Sequence, residues 1–408
     1  MASKNRYIAG LDLGSSKTCA LVCQPGEEGK LEVAGFGVAE SRGWRKGVIV
    51  NLDLSVLAIK KAVDAAEAAA GVSIDSAYVG VGGAHIKGVN SSGAVSLVKP
   101  EGASREVTRE DIARVVQTAR SISLPPDCEL LHVLPLGYSV DSHAGIRDPL
   151  GMSGSRLEVN VHLITASATA TQNVVTVANK AGIVVQDTVY EALASAEACL
   201  STDERELGVA LADIGGGSTD LVVYHQGTVR HTGVIPVGGD HFTNDVAVGL
   251  RTPIPEAEKM KRAWGERDPD KPVESVLEVQ SVGERPSRVV SYGMLNEIIE
   301  PRACEWVELV QAELARAGFE RQLGAGLVLT GGGARLGGLV GLAEQMLGLP
   351  VRLGLPKGLA KMGEVLPDPT FASVVGLIMY GNRVRLLRDA REENWFGKLR
   401  SVFRGKAS

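Results

Sequence analysis

A single pattern that occurs twice narrows the folds open to this chain more than any other feature in it. The segment IAGLDLGSSKTCALV, from Ile8, and the segment VALADIGGGSTDLVVY, from Val209, share one design. Each runs from an apolar strand into Asp-x-Gly, through small polar residues and into a second strand. Asp12 aligns with Asp213, Gly14 with Gly215 and Thr18 with Thr219. Each copy then turns, through PGEEGK or HQG, into a further strand beginning near Leu31 or Thr228. Two such meanders, each followed by helical sequence, predict two similar α/β lobes that face each other. The competing reading, two unrelated hairpins with turn glycines, requires the same residues to fall in register twice.

The residues of the repeat suit phosphate held between the lobes. A glycine-rich hairpin brings backbone N–H groups close to an anion because no Cβ intervenes, and small hydroxyls add donors. Ser15, Ser16 and Lys17 serve one side, and Gly216, Gly217, Ser218 and Thr219 the other. Each loop also carries an aspartate at the end of a buried strand, where a lone ionised carboxylate is costly without a cation or donors. A hydrated Mg²⁺ bridging two phosphates answers that cost, because the ion keeps several waters and takes one or two carboxylates. Asp12 and Asp213 are the expected metal-side residues. A third glycine cluster lies in AGLVLTGGGARLGGL, where a strand over Leu327 to Leu329 enters Gly331, Gly332 and Gly333 and then a helix. It is not a Walker loop, and it would let a nucleoside lie flat against the backbone. In PEAEKMKRAWG, Glu258 and Lys261 lie three apart and share a helix face, which fits either a nucleotide contact or a solvated surface pair.

Composition removes several alternatives. With 408 residues, 44% of them hydrophobic, the chain can bury two or more cores, and a formal charge of −5 gives no basis for a nucleic-acid surface. The five cysteines form no CxxC pair. Cys19 and Cys23 lie in the strand-like run TCALVC, which reads as two buried thiols with metal ligation as the alternative. The N-terminus lacks an apolar core of signal-peptide length and no stretch approaches the ~20 apolar residues of a membrane span, so a reducing cytoplasm is expected.

Phosphate hairpin, second phosphate hairpin and strand-GGG-helix, in that order, resemble the actin, Hsp70 and sugar-kinase superfamily over nearly the whole chain. Within it, SRGWRKGVIVNLD (41 to 53), GVGGAHIKGVNSSGAV (80 to 95), DPLGMSGSRLEVNVHLITA (148 to 166) and STDERELGVALADIGGGSTDLVVY (201 to 224) resemble the bacterial FtsA family. The resemblance implies two ribonuclease-H-like lobes in an actin-like ATPase fold that clamps ATP and Mg²⁺. By it, residues 1–83, 164–190 and 371–385 form the first lobe and 84–163 a small inserted domain. Residues 191–235 and 306–370 form the second lobe, 236–305 its outer subdomain, 386–393 a short linker and 394–408 an amphipathic helix. TREDIARVVQTA, with Thr108 as N-cap, and strand-like LHVLPLGYSVD agree with a separate inserted unit. Gly239 and Arg335 join the nucleotide-binding set. Glu191, in VYEALASAEA, occupies a place that the superfamily uses to orient the attacking water; a glutamate favoured by the helix dipole is the plainer account. At most a slow ATPase is implied.

The end of the chain, NWFGKLRSVFRGKAS, contains no acidic residue. On a helix, Trp395, Phe396, Leu399, Val402 and Phe403 fall within an arc of about 120°, with Lys398 and Arg400 flanking it and Arg404 adding charge. That pattern suits a helix lying in the headgroup layer of anionic lipid; a terminal helix docked on the protein's own core or on a partner fits as well. The stretch from Arg383 to Glu393 reaches only about 35 to 40 Å at full extension. Members of the FtsA family end in such a targeting helix, form actin-like filaments and hold the C-terminal peptide of the tubulin-like FtsZ at the division site on the inner face of the cell membrane. Arg302, in SYGMLNEIIEPRACEWVEL, is the expected contact for that peptide, or an ordinary surface arginine. Three other functions remain in view: a phosphotransferase or exopolyphosphatase with a base in a second pocket, a PilM-like pilus-assembly adaptor without a basic tail, and a chaperone of the Hsp70 type. The last is disfavoured because no substrate-binding β domain follows.

Overall fold

The computed structural model describes residues 7–26, 30–45, 47–98, 102–265, 276–283 and 286–404, with side chains as far as residue 388. The repeat read from the sequence is a repeat of topology. In the first sheet, strand Ile8–Leu13 pairs antiparallel with Lys17–Pro25, which pairs with Leu31–Glu40; on its other side lie the parallel strands Ser76–Val81 and Val184–Tyr190. In the second sheet, Val209–Ile214 pairs antiparallel with Thr219–His225 and that with Thr228–Ile235; Leu327–Thr330 and Val351–Leu353 lie parallel on the other side. The registers match as well: Leu13 faces Thr18 as Ile214 faces Thr219, and Asp12 faces Cys19 as Asp213 faces Asp220. Both central strands are buried at every residue. Cys19 and Cys23 are buried free thiols, as expected for a strand in a core.

Helices close both faces. Leu52–Ala70, capped by the Asn51 side chain and ended by Gly71 in the left-handed region, covers the first sheet. Helices Gly239–Gly249, Ile254–Gly265, Tyr292–Ala317 and Leu339–Leu347 enclose the second core around the fully buried Trp306. The central helix Glu191–Cys199 and the last helix, Ala372–Arg404, cross between the lobes so closely that a Cβ on Gly376 would collide with the Ala194 carbonyl.

The inserted unit has its own core. Strands Lys87–Ser96, Cys128–Val140, His143–Ile146 and Arg156–Ser167 make a four-stranded antiparallel sheet, on which helix Arg109–Arg120 packs Val115 and Ala119. Thr108 caps that helix in a reciprocal pair with Asp111, as its sequence predicts. One strand of the second lobe, Thr228–Ile235, also touches this unit. Buried His162 links Asn90 (2.7 Å from Nδ1) to Thr232 (2.9 Å from Nε2) across the boundary.

Candidate functional site

Because both hairpins leave the same edge of twin sheets, their turns meet. They border a cleft of about 420 Å³ between the lobes. Each turn closes in the same way: the Gly14 N–H donates to the Lys17 carbonyl (3.0 Å) and the Gly215 N–H to that of Ser218 (2.9 Å). Helix Gly239–Gly249 braces the second turn, since the N–H groups of Gly239 and Asp240 donate to the carbonyls of Gly215 (2.9 Å) and Gly216 (2.8 Å).

Asp12, Gly14, Ser15, Ser16, Lys17, Glu191, Asp213, Gly215, Gly216, Gly217, Ser218, Gly239, Glu258, Lys261, Gly331, Gly332, Gly333 and Arg335 all line this one cleft. Thr219 does not. Its side chain is fully buried, donates to the Val237 carbonyl (2.8 Å) and accepts from the Trp306 indole (2.9 Å), so it holds the lobe together from inside. Strand alternation explains the miss: Ser218 faces the opening and its neighbour must face the core. Arg302 lies outside the cleft on helix Tyr292–Ala317, where its guanidinium already engages Asp245 (2.6 and 3.1 Å) and Glu305. The residues expected to meet a membrane, Trp395, Phe396, Lys398, Leu399, Arg400, Val402, Phe403 and Arg404, lie outside the residues whose side chains are described.

One end of the cleft is acidic. The Lys17 ammonium bonds Asp12 at 2.8 Å; burial alone would lower its pKa, but Asp12 holds it above the ordinary lysine range. Asp213 accepts from Ser195 and from Ser373 (3.1 Å), yet burial and the nearby Asp12 outweigh these bonds and raise its carboxyl. Burial also raises Glu191 well above the usual carboxylate value, with Asp12, Asp220 and Asp213 adding repulsion. Asp220 is pushed up to about 7 by burial and by Asp213, although the Gly83 N–H (3.4 Å) opposes the shift. Among the described residues, no three His, Cys, Asp or Glu side chains form an all-protein metal cage. A divalent ion that keeps its waters and arrives with phosphates needs only one or two carboxylates, and its charge would relieve the raised carboxyls of Asp213, Glu191 and Asp220. The donor set fits such an ion.

The other end is set by helix Ile254–Gly265. Glu258 and Lys261 pair at 2.7 Å, and Lys261 also donates to the Gly239 carbonyl (3.1 Å) and to Thr243 (3.0 Å). Burial would raise Glu258, but Lys261 dominates and holds it at about 2. The pair is therefore tied to the brace of the second turn. Opposite, strand Leu327–Thr330 leads into a single 3₁₀ turn, Gly332–Arg335, before helix Leu339–Leu347, so the predicted helix begins later than expected. Gly331 has φ +82°, and a Cβ there would collide with Asp213 Oδ1.

Several site residues escaped the sequence reading. Asp220 sits where the first copy has Cys19, so aligning the copies concealed it. Gly80 and Gly82 make room for Glu191: a Cβ on Gly82 would collide with Glu191 Oε2 and stand 3.2 Å from Asp220 Oδ2. The glycine run YVGVGG carried that signal. The Gly47 N–H donates to Ser15 Oγ at 3.0 Å, which brings the short hairpin of Trp44–Arg45 and Val48–Ile49 over the first turn.

Residues 210–376 match the family model "Cell division protein FtsA", and residues 83–165 match the "SHS2 domain inserted in FTSA". The cell division protein FtsA of Pseudomonas aeruginosa is 44% identical over 386 residues, covering 92% of this chain and 89% of that protein. The chain belongs to the FtsA family. The Escherichia coli K12 FtsA is 36% identical, covering 99% of both chains. Among solved structures, the fold is similar to that of the PilM-PilN type IV pilus biogenesis complex (TM-score 0.64, 20% identity, 92% of this chain and 98% of that one). It is also similar to that of MreB5 of Spiroplasma citri bound to ADP (TM-score 0.56, 14% identity, 95% and 99%). At these identities the likeness is one of fold: an actin-like pair of lobes, here with the inserted domain of FtsA. Among the described residues, no helix is long and apolar enough to cross a membrane.

Proposed function

We propose that this member of the FtsA family binds ATP with Mg²⁺ in the interlobe cleft, assembles into actin-like filaments, and tethers FtsZ to the inner face of the cell membrane through its C-terminal helix. The observation that carries the nucleotide reading is convergence. Two glycine turns from twin sheets, each fronted by a buried aspartate, meet in one cleft with the Glu258–Lys261 pair and the Gly331–Gly333 turn. Asp12 and Asp213 stand on the metal side, with the N–H groups of both turns and Lys17 toward the phosphates. Bound Mg²⁺ supplies positive charge against the phosphates and the carboxylates.

Glu191 is positioned for slow hydrolysis. It projects from the first turn of its helix into the acidic end of the cleft, where its carboxylate, when ionised, would orient a water. Filament assembly rests on the fold shared with MreB, and FtsZ tethering on family membership. Arg302 meets the FtsZ peptide only by exchanging Asp245 or Glu305 for a partner carboxylate. Titration with a fluorescent ATP analogue tests the core of this reading. Asp213→Ala, with its fold checked by circular dichroism, is expected to weaken Mg·ATP binding at least ~100-fold, about 3 kcal/mol. Binding at wild-type strength in the folded variant would overturn it.

A further inference from the structure

Strand Val184–Tyr190 is an edge strand of the first sheet, paired on one side only, with Ser76–Val81. Its last residue, Tyr190, is also the N-cap of helix Glu191–Cys199, so the backbone at Tyr190 sets where the Glu191 side chain leaves the helix. An N–H on the outer side of an edge strand has no ladder partner, and when buried it must find another acceptor. Tyr190 is fully buried. Its N–H donates at 3.0 Å to Nε2 of His132, which stands on strand Cys128–Val140 of the inserted domain.

The arrangement defines the state of that imidazole. A backbone N–H can only donate, so Nε2 is the unprotonated nitrogen. Burial pushes the His132 pKa down to about 4, which keeps the acceptor available across the neutral range. The ring is held edge-on by Tyr380 at 6.3 Å, whose hydroxyl in turn donates to Asp187 at 2.8 Å. The Tyr190 phenol meanwhile donates to the Gly233 carbonyl of the second lobe at 3.2 Å. One residue therefore fastens the inserted domain, the first sheet and the second lobe at the step before Glu191.

We propose that His132 is a positioning residue for Glu191: by accepting the Tyr190 N–H, the inserted domain fixes the helix start that aims this carboxylate into the cleft. The inference rests on the reading of Glu191 as the water-orienting group and assigns no chemistry to His132 itself. It also gives the inserted domain a route to the rate of hydrolysis that bypasses nucleotide affinity.

The test uses the full chain with Mg·ATP, measuring phosphate release and, separately, the dissociation constant of a fluorescent ATP analogue. His132→Leu keeps bulk but removes the acceptor, and is expected to lower turnover by roughly tenfold, the scale of one lost positioning hydrogen bond, with ATP affinity within about twofold of wild type. His132→Gln, whose Oε1 can accept the same N–H, is expected to recover most of the rate. His132→Ala covers the case in which leucine fails to pack, with melting followed for every variant. Equal losses in the leucine and glutamine variants, or affinity falling in step with turnover, would overturn the proposal. Wild-type turnover in His132→Leu beside an inactive Glu191→Gln would also overturn it while sparing the hydrolysis reading. Wild-type turnover in Glu191→Gln would remove that reading and the proposal with it.

Discussion

Asp220 shows how a single side chain can bear on stability in a site built for a cation. Its carboxyl is buried beside Asp213 on the facing strand, with a folded pKa of about 7 against an ordinary 3.8. Below pH 3.8 the group is protonated in both the folded and unfolded chain and has no effect. Between 3.8 and 7 the unfolded chain ionises while the fold retains its proton, so stability falls as pH rises and the loss is complete above 7. Asp220→Asn is therefore expected to raise the free energy of urea unfolding at pH 8, in the absence of divalent ion and nucleotide, by an amount on the order of 1–4 kcal/mol, and to change little at pH 4. An equal effect at both values would show that charge is not the cause. The same residue marks a boundary of what the sequence conveyed. Asp12 and Asp213 were legible because a carboxylate closing an apolar strand before glycine needs a partner. Asp220 sits inside the strand TDLVVYH, where its neighbours read as core and only the fold shows that its side of the strand faces the cleft. Thr219 was misread for the converse reason, as alternation turns it inward.

Among the elements, the hairpins were the most legible, since their lengths, turns and registers follow from local chemistry. The strands near Leu31 and Thr228 and the helix capped by Thr108 fall where the pattern puts them. What crosses between elements was not legible. The association of Glu191–Cys199 with Ala372–Arg404 depends on small residues more than 170 positions apart, with Gly376 pressed to the Ala194 backbone and Ser195 and Ser373 meeting at 3.1 Å. No periodicity within either segment announces that approach. Gly376→Ala would force the two helices apart and is expected to destabilise the fold by about 1–3 kcal/mol in urea unfolding, with no change in the slope of the transition. An unchanged midpoint would mean that the crossing yields without cost.

For the molecule as a whole, the twin lobes explain why one reading could cover so much of the chain: a repeated topology forces its loops to one side, and a site follows at the junction. The inserted domain is the part whose role the repeat could not foretell, and its His162 and His132 reach the second lobe and the first sheet respectively. The proposed membrane attachment is tested at this scale too. Vesicles of anionic lipid are expected to co-sediment the full chain in the presence of ATP and to leave in solution a chain ending at Glu393; equal pelleting would remove the anchor from residues 394–408.

Ser373, which donates to Asp213 in the cleft, is the second residue of the last helix. That helix runs on to Arg404. The helix is clamped again at Gly376 against Ala194 and at Gly381 against Tyr78, so only the stretch beyond Gly381, about 10 Å to Arg388, projects from the body. The hydroxyl on the buried carboxylate and the stretch that leaves the body are thus two parts of one rod clamped over more than two turns, so a shift at either end would be a shift of the whole.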